Sequence, residues 1–204
     1  MKLLVTAFEP FGEDKLNSSQ EVLKMLPESL PGAEIVKAVL PVVFRSSAAM
    51  LFEVLAKEKP DAVLCLGQAG GRDALTPERV AINLNDARIP DNEGAQPVDE
   101  MILPEGPDAY FSSLPIKAMR DAIRETGLPS EISNTAGTFV CNQLMYALLN
   151  YIAHSDLKIR GGFLHLPYLD RQTADHPDKP GFPCEKLVQG VEAAVTAIAA
   201  QQKN

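Results

Sequence analysis

The sequence predicts an α/β fold, a single-domain α/β/α sandwich over residues 1–204 with a mostly parallel open sheet. Short runs of β-branched and aliphatic residues alternate with longer helical runs along the chain, an order typical of parallel sheets covered on both faces. The length is sufficient for a sizeable core, and 46% of the residues are hydrophobic. No repeat or linker divides the sequence.

The predicted elements follow one another in order. Strands are expected at 2–8, 33–42, 61–67, 78–84, around 130–134 and at 160–166. Helices are expected from a cap at Ser18 or Ser19 to Met25, and over 46–59, 114–126, 140–154 and 184–202. Residues 85–112 contain four prolines and little periodicity. They predict a long irregular loop, and such loops are usually functional or mobile.

Composition argues against several classes of partner. The formal net charge of −8 is unsuited to nucleic acid or an anionic membrane, which both attract clustered Lys and Arg. The N-terminal apolar run is too short for a signal peptide, and no apolar run is long enough for a spanning helix. The three cysteines, at positions 65, 141 and 184, form no zinc pattern. We therefore expect reduced thiols in a cytoplasmic protein without a metal.

Chemically suggestive segments follow the predicted strands. They are FEPFG (8–12), GQAGGR (67–72), TAGTFVCN (135–142) and His165. Ligands of open α/β sheets bind outside the carboxyl ends of the strands. We therefore expect these four segments to meet at one edge of the sheet.

Cys141 is the candidate nucleophile because it lies at the start of a predicted helix. A helix N-terminus carries partial positive charge and unpaired N–H groups. Both favour a thiolate and would lower the thiol pKa toward neutrality, and the N–H groups could bind an oxyanion. Cys65 lies inside the apolar run AVLCL and is expected to be a buried filler. Cys184 precedes the last helix and is also expected to be structural.

His165 is the candidate general base because it lies at the carboxyl end of an apolar strand. His154 falls in the last turn of a helix and His176 in a polar loop. A Cys–His pair would support nucleophilic catalysis, with a third group orienting the imidazole. The residues alone leave that group open among four acids: Asp73, Glu78, Asp86 and Asp170.

The run GQAGG (67–71) predicts a tight backbone turn at the sheet edge. It lacks the G-K-[ST] of a phosphate loop and the full G-x-G-x-x-G fingerprint of a dinucleotide site. Gln68 would point into the site with one acceptor and two donors.

Together the motifs resemble the pyroglutamyl peptidase I family of cysteine peptidases. The resemblance covers nearly the whole chain, with matching order and spacing. It rests on FEPFG (8–12) followed by Asn17, GQAGGR (67–72), TPERVAINL (76–84), DARIPDNEG (86–94), SNTAGTFVCN (133–142) and GFLHLP (162–167).

The resemblance implies an α/β/α sandwich, usually assembled as a cytoplasmic homotetramer, with no metal or organic cofactor. The implied reaction is hydrolytic removal of N-terminal pyroglutamate from peptides by a triad of Cys141, His165 and Glu78. The implied ring pocket consists of Phe8, Phe11, Phe139 and Val140, with Asn17 and Gln68 as polar partners. We expect the Cys141 backbone N–H to hold the oxyanion, with Arg88 as an additional candidate donor.

Two other functions stay open from the residues alone. The first is a binding module on a similar scaffold in which Cys141 is inert. The second is a nucleoside-processing enzyme on a related α/β fold, which the missing phosphate motif disfavours.

Overall fold

The computed structural model describes residues 1–201. The strands are β1 (Lys2–Phe8), β2 (Ser29–Leu30), β3 (Ala33–Leu40), β4 (Ala62–Gln68), β5 (Thr76–Pro77), β6 (Val80–Ile82), β7 (Ala109–Phe111), β8 (Arg160–Leu166), β9 (Tyr168–Leu169) and β10 (Gly181–Phe182). The helices are α1 (Ser18–Met25), α2 (Ser46–Glu58), α3 (Ile116–Glu125), α4 (Val140–Ala153) and α5 (Cys184–Ala200).

The central sheet has six strands in the order β2-β3-β1-β4-β8-β5. Strands β3, β1, β4 and β8 are parallel, while the short strands β2 and β5 pair antiparallel at the two edges. The prediction of a mostly parallel open sheet is therefore confirmed.

Helices cover both faces of this sheet. Helices α1, α3 and α5 share one hydrophobic core, and α2 and α4 share the other. The alternation of side chains along β1 explains the two cores, because Leu3 and Val5 enter the first whereas Leu4 and Phe8 enter the second. The result is the predicted α/β/α sandwich. Within residues 1–201, no helix has the length and apolar character needed to cross a membrane.

Two of the predicted strands do not join the central sheet. Strand β6, inside the predicted strand 78–84, pairs with β7 in a separate two-stranded sheet. The segment around 130–134 forms only isolated bridges, from Ser130 to Leu75 and from Ser133 to Glu78. Local alternation is satisfied by any partner strand, so the pattern could not identify the sheet to which each segment belongs.

The cap of α1 also differs from the prediction. Asn17, rather than Ser18 or Ser19, is the N-cap, and its side chain accepts a hydrogen bond from the Ser19 N–H at 3.0 Å. Asn is among the most favourable N-cap residues. The helix therefore begins at Ser18, and Ser19 is buried in its first turn.

Candidate active site

The predicted segments meet at the carboxyl edge of the sheet. Phe8 ends β1, Gln68 ends β4, and His165 is the penultimate residue of β8. Gly67 of β4 is paired with His165. A Cβ at Gly67 would lie 3.1 Å from Cys141 Sγ and 2.7 Å from the Phe163 ring. The missing side chain at Gly67 therefore lets Cys141 approach the strand ends.

Hydrogen bonds from residues before and after Cys141 position the first turn of α4, which carries it. The Asn142 side chain accepts from the Ile82 N–H and donates to the Ile82 and Leu84 carbonyls, all within 3.0 Å. Thr138 donates its hydroxyl to the Asp86 carbonyl at 2.7 Å and accepts from the Asp86 N–H at 3.0 Å. The residues before and after Cys141 are thus hydrogen-bonded to the segment 82–86.

The glycine run makes the predicted tight turn. Gly71 has a φ of 98°, a left-handed conformation that favours glycine. The Arg72 N–H closes the turn on the Ala69 carbonyl at 3.2 Å. This turn directs the Arg72 side chain toward the site.

His165 and Glu78 form a buried hydrogen-bonded pair. The Nδ1 atom of His165 lies 2.7 Å from Glu78 Oε1, and the two residues are 4% and 0% exposed. The Glu78 backbone N–H also donates to the Phe163 carbonyl of β8 at 2.9 Å. Of the four acids left open by the sequence, Glu78 is the one that bonds His165 within residues 1–201.

The other three acids, Asp73, Asp86 and Asp170, are exposed. Exposed carboxylates are solvated and cannot orient a buried imidazole at a distance. The geometry therefore favours Glu78 as the orienting group.

Arg72 shares the same carboxylate oxygen. Its Nη1 donates to Glu78 Oε1 at 2.6 Å and also to the Thr76 hydroxyl. Its Nη2 donates to the Thr135 carbonyl at 3.1 Å. The other oxygen of Glu78, Oε2, is buried without a hydrogen-bond partner among the described residues.

Burial dominates the ionisation of the site. It raises the pKa of the Cys141 thiol to about 12, with Glu78 adding to this effect and Arg72 opposing it. The prediction that the helix N-terminus lowers this pKa toward neutrality is therefore wrong. Burial likewise lowers the pKa of His165, although Glu78 opposes the shift.

Burial by itself would raise the pKa of Glu78. The hydrogen bond of His165, the charge that this imidazole carries when protonated, the nearby Ser133 hydroxyl and the charge of Arg72 together outweigh burial and lower this pKa overall. Near neutral pH the site thus contains a neutral thiol, a neutral imidazole, a carboxylate and a guanidinium.

A small cavity of about 20 Å³ opens beside Cys141. We call it the apolar slot; it is lined by Phe8, Phe11, Asn17, Val42, Gln68, Phe139, Val140 and Cys141. All six residues predicted for the ring pocket are in this list. A cavity of this size holds about one water molecule. A five-membered ring can therefore enter only if side chains move apart.

Aromatic contacts form the outer wall of the apolar slot. The Phe139 ring lies 6.1 Å from the Phe11 ring and meets the edge of Phe44 at 5.3 Å. Phe11 and Phe139 are only half-buried, so they have more freedom to move than the fully buried Val140.

Gln68 has one hydrogen-bonding group left for a ligand. Its Oε1 accepts from the Ser18 N–H at 2.8 Å and from Gln172 Nε2 at 2.9 Å. Its Nε2 donates to Asp14 Oδ2 at 2.9 Å. With both acceptor positions used, Gln68 offers one N–H to the slot.

Asn17 is committed in the same way. Its Oδ1 accepts two hydrogen bonds from Ser19, and its Nδ2 donates to the Glu9 carbonyl at 2.9 Å. One N–H of Asn17 also stays available. The two predicted polar partners therefore act as donors, which suits a carbonyl oxygen of the ligand.

A larger cavity of about 550 Å³ adjoins the apolar slot and shares Phe11, Gln68, Phe139 and Cys141 with it. We call it the polar cleft; its lining includes Arg72, Asp86, Arg88, Ile89, His165 and Tyr168. Cys141 lines both cavities. Arg88 is exposed on the wall of the polar cleft.

The sequence family described as pyroglutamyl peptidase matches residues 1–201. The chain belongs to this family. Among its relatives, a pyrrolidone-carboxylate peptidase of Streptococcus suis is 53% identical over 97% of this chain and 92% of its own length. One from a Thermoanaerobacter species is 50% identical over the full length of both chains.

Solved structures of pyroglutamyl peptidases have the same fold. Pyroglutamyl peptidase I from Bacillus amyloliquefaciens is 45% identical, with a TM-score of 0.94 over 97% of this chain and 94% of that chain. A mutant pyrrolidone carboxyl peptidase from Pyrococcus furiosus is 39% identical, with a TM-score of 0.95 over 99% of this chain and 100% of that chain. These matches favour a peptidase over a binding module or a nucleoside-processing enzyme.

Sequence reasoning missed three residues of this pyroglutamyl peptidase site. Val42 follows β3 and lines the apolar slot, but nothing in the sequence distinguishes it from an ordinary core valine. Arg72 and Asn142 belong to the motifs GQAGGR (67–72) and SNTAGTFVCN (133–142). Each is a polar residue in a motif that also contains a predicted site residue, and this signal could have identified both.

Proposed function

We propose that this chain is a cysteine peptidase that removes N-terminal pyroglutamate from peptides by hydrolysis through a thioester acyl-enzyme. The observation that carries the proposal is the position of Cys141. Cys141 lines both an uncharged slot and a polar cleft, and the cleft is also lined by His165, which is hydrogen-bonded to the buried Glu78. A flat uncharged ring suits the slot, and the rest of a peptide suits the cleft.

The charge of the slot supports pyroglutamate over an ordinary N-terminal residue. Among the residues that line the slot, Cys141 is the only one with a titratable side chain. A protonated amino group would therefore lose its hydration without gaining a counter-ion. Pyroglutamate has no such group, and its ring carbonyl can accept the free N–H groups of Asn17 and Gln68.

The proposed acylation step transfers one proton and forms one bond. His165 takes the thiol proton of Cys141 as the sulfur attacks the pyroglutamyl carbonyl carbon. Glu78 accepts a hydrogen bond from Nδ1, which fixes the ring orientation and stabilises the imidazolium. His165 then gives its proton to the departing amine as the C–N bond breaks.

Deacylation uses the same base. His165 removes a proton from water, the resulting hydroxide attacks the thioester carbonyl, and the C–S bond breaks. The proton returns to the Cys141 sulfur. The products are free pyroglutamate and a peptide with a new N-terminus.

The proposed oxyanion donor is the backbone N–H of Cys141. It belongs to the first turn of α4, where N–H groups have no partner within the helix. Arg88 is a second proposed donor, supported by its place on the wall of the polar cleft. Removal of one such donor typically costs about 10²–10³ in rate.

We also propose that residues 1–204 act as one catalytic domain that assembles as a cytoplasmic homotetramer without a metal or organic cofactor. Exposed apolar side chains support an interface between copies, since Val98 and Phe111 are 70% and 72% exposed. Light scattering coupled to gel filtration tests the assembly, and a monomer at micromolar concentration would contradict it.

The proposed activity is tested with two amides of one fluorophore. The reduced protein is expected to release aminomethylcoumarin from the pyroglutamyl amide. The prolyl amide is the matched control, since it has the same ring size but a charged amine in place of the lactam. We expect kcat/KM to be at least about 10²-fold lower for the prolyl amide, because its charge is unpaired in the slot.

Either of two results would contradict the proposal. One is no release from the pyroglutamyl amide by folded, reduced protein. The other is comparable kcat/KM for both amides, which would show that the slot does not recognise the lactam.

A further inference from the structure

Arg72 contacts two parts of the site, the orienting acid Glu78 and the loop before Cys141. One guanidinium donates to Glu78 Oε1, to the Thr76 hydroxyl and to the Thr135 carbonyl. Glu78 Oε1 is also the atom that His165 Nδ1 bonds at 2.7 Å. The Thr135 carbonyl belongs to the loop that leads into Cys141. Arg72 thus touches the orienting acid and the approach to the nucleophile at once.

Glu78 requires such a cation. Its carboxylate is 0% exposed, and Oε2 has no hydrogen-bond partner among residues 1–201. A buried carboxylate without a partner would take up a proton rather than stay charged. The charge of an imidazole changes as it gains and loses a proton, whereas a guanidinium keeps its charge, so the permanent positive charge beside Glu78 is that of Arg72 at 2.6 Å.

We propose that Arg72 is a positioning residue for the reaction, which holds Glu78 ionised and aligned on His165 and holds the loop before Cys141. This inference rests on the proposed peptidase activity, which it extends by one residue. Arg72 acts through Glu78 and Thr135 and is not itself required to touch the substrate.

The charge of Arg72 has a second effect on the neighbouring groups. It opposes proton uptake by His165 and favours the thiolate of Cys141. The cavity that His165 and Cys141 line, the polar cleft, is lined by three other charged or titratable side chains: Asp86, Arg88 and Tyr168. Removal of the Arg72 charge should therefore make the Glu78–His165 pair easier to protonate as a unit.

The principal test compares wild type with Arg72→Met and Arg72→Lys over pH 5 to 9. We call the fall of kcat/KM toward low pH the acid limb of the profile. For Arg72→Met, this acid limb should move to higher pH by about one unit, since a nearby cation is lost. At pH 8 its kcat should fall about tenfold, and its KM should change less than kcat because Arg72 lines the polar cleft but not the slot that takes the ring.

Arg72→Lys separates charge from geometry. Its ammonium keeps the positive charge, so its acid limb should stay within about 0.3 pH unit of wild type. Its kcat should still fall by at least about threefold, because a compact ammonium cannot hold three acceptors in the fixed geometry of a guanidinium.

Arg79→Met is the matched control. Arg79 follows Glu78 in the chain, but its side chain donates to Asn134 Oδ1 at 2.7 Å in an exposed pair. The substitution removes the same charge from the same segment. It should leave the acid limb within about 0.3 pH unit of wild type and kcat within about twofold.

A substrate-independent measurement separates this proposal from the peptidase activity. The alkylation of Cys141 by iodoacetamide, followed by mass spectrometry of its peptide, should be at least about threefold slower at pH 8 in Arg72→Met. Absence of turnover in wild type would contradict the proposed function, while the alkylation rates would still test Arg72.

The proposal would be overturned if Arg72→Met lowered kcat/KM by one constant factor at every pH, with its acid limb and its alkylation rate unchanged. That result would indicate only a structural role. Circular dichroism establishes that each variant is folded. If Arg72→Met does not fold, Arg72→Gln takes its place with the same expected and contradicting results, since it keeps N–H donors and loses the charge.

Discussion

Two segments of this molecule have nearly the same local sequence and different surroundings. Phe139-Val140-Cys141 leads into α4, and Phe182-Pro183-Cys184 leads into α5. Each cysteine lies in the first turn of its helix, and each is half-buried. Burial raises the pKa of both thiols. Position at a helix N-terminus therefore does not distinguish a nucleophile from a structural thiol.

The surroundings make the difference. Cys141 lies at the carboxyl edge of the sheet, where it lines the polar cleft together with His165. Cys184 packs against the core shared by α1, α3 and α5, and the charges that act on it come from Arg171 and acidic residues. The comparison therefore links the proposed role of Cys141 to the cleft that it shares with His165, and not to its position at a helix N-terminus. Three predictions test this contrast, from the largest expected effect to the smallest.

The largest effect is expected for the two serine variants. Cys141→Ser should lower kcat/KM for a pyroglutamyl amide by at least about 10³-fold, because the hydroxyl is a far weaker nucleophile than the thiol it replaces. Cys184→Ser is the matched control and should stay within about twofold of wild type. Activity is measured by fluorophore release, and folding by circular dichroism. Full activity in Cys141→Ser would remove the thiol from the mechanism.

The next effect concerns the phenylalanine two positions before each cysteine. Phe139 forms a wall of the apolar slot, whereas Phe182 packs against the core. Phe139→Ala should raise KM about 30-fold through lost contact with the ring. Phe182→Ala should leave KM unchanged and lower the free energy of unfolding by about 2 kcal/mol. Equal changes in KM would show that Phe139 has no specific place in recognition.

The smallest effect is that of pH. Since the pKa of His165 is lowered from 6.5, the base is lost only when the pH falls below that lowered value. We expect kcat/KM to fall about tenfold per pH unit on the acid side, with a midpoint below 6.5. The unfolded chain binds this proton more readily than the fold does, so stability also declines there. Circular dichroism at each pH separates unfolding from loss of the base.

Alkylation of the two cysteines completes the pH measurement. Without substrate, both rates should rise up to at least about pH 9, because both thiols are neutral near pH 7. A plateau for Cys141 below about pH 7 would indicate a thiolate–imidazolium pair that forms before substrate binds. That finding would reverse the assignment of His165 as a base that acts only during attack.

The sequence was sufficient for the scaffold and for the residues that meet at its edge. Alternation of strands and helices predicted the parallel sheet, and the rule that ligands bind at the carboxyl ends of the strands predicted that Cys141 and His165 lie at the same edge of the sheet, where both line the polar cleft. Glu78 was not chosen from the residues alone, since four acids had equal standing. Its selection required the resemblance and then the 2.7 Å hydrogen bond to His165.

The missing parts depend on long-range contacts. Val42 reaches the apolar slot only because the chain after β3 passes close to α4. The capping role of Asn17 depends on where α1 begins, and the ion pair of Arg72 depends on the turn at Gly71. The thiol pKa was predicted wrongly because desolvation is a property of the packed site, whereas the helix dipole can be read from local sequence.

The pairing of β8 determines how the two parts of the site resist local unfolding. His165 is paired with Gly67 of β4 on one side and with Thr76 of β5 on the other. Its amide should therefore be among the slowest to exchange with solvent, whereas the first turn of α4 and the loop before it open at lower free energy. On warming, we expect His165 to stay in the sheet until global unfolding. Reversible inactivation at lower temperature would then come from local opening of the first turn of α4, which carries Cys141.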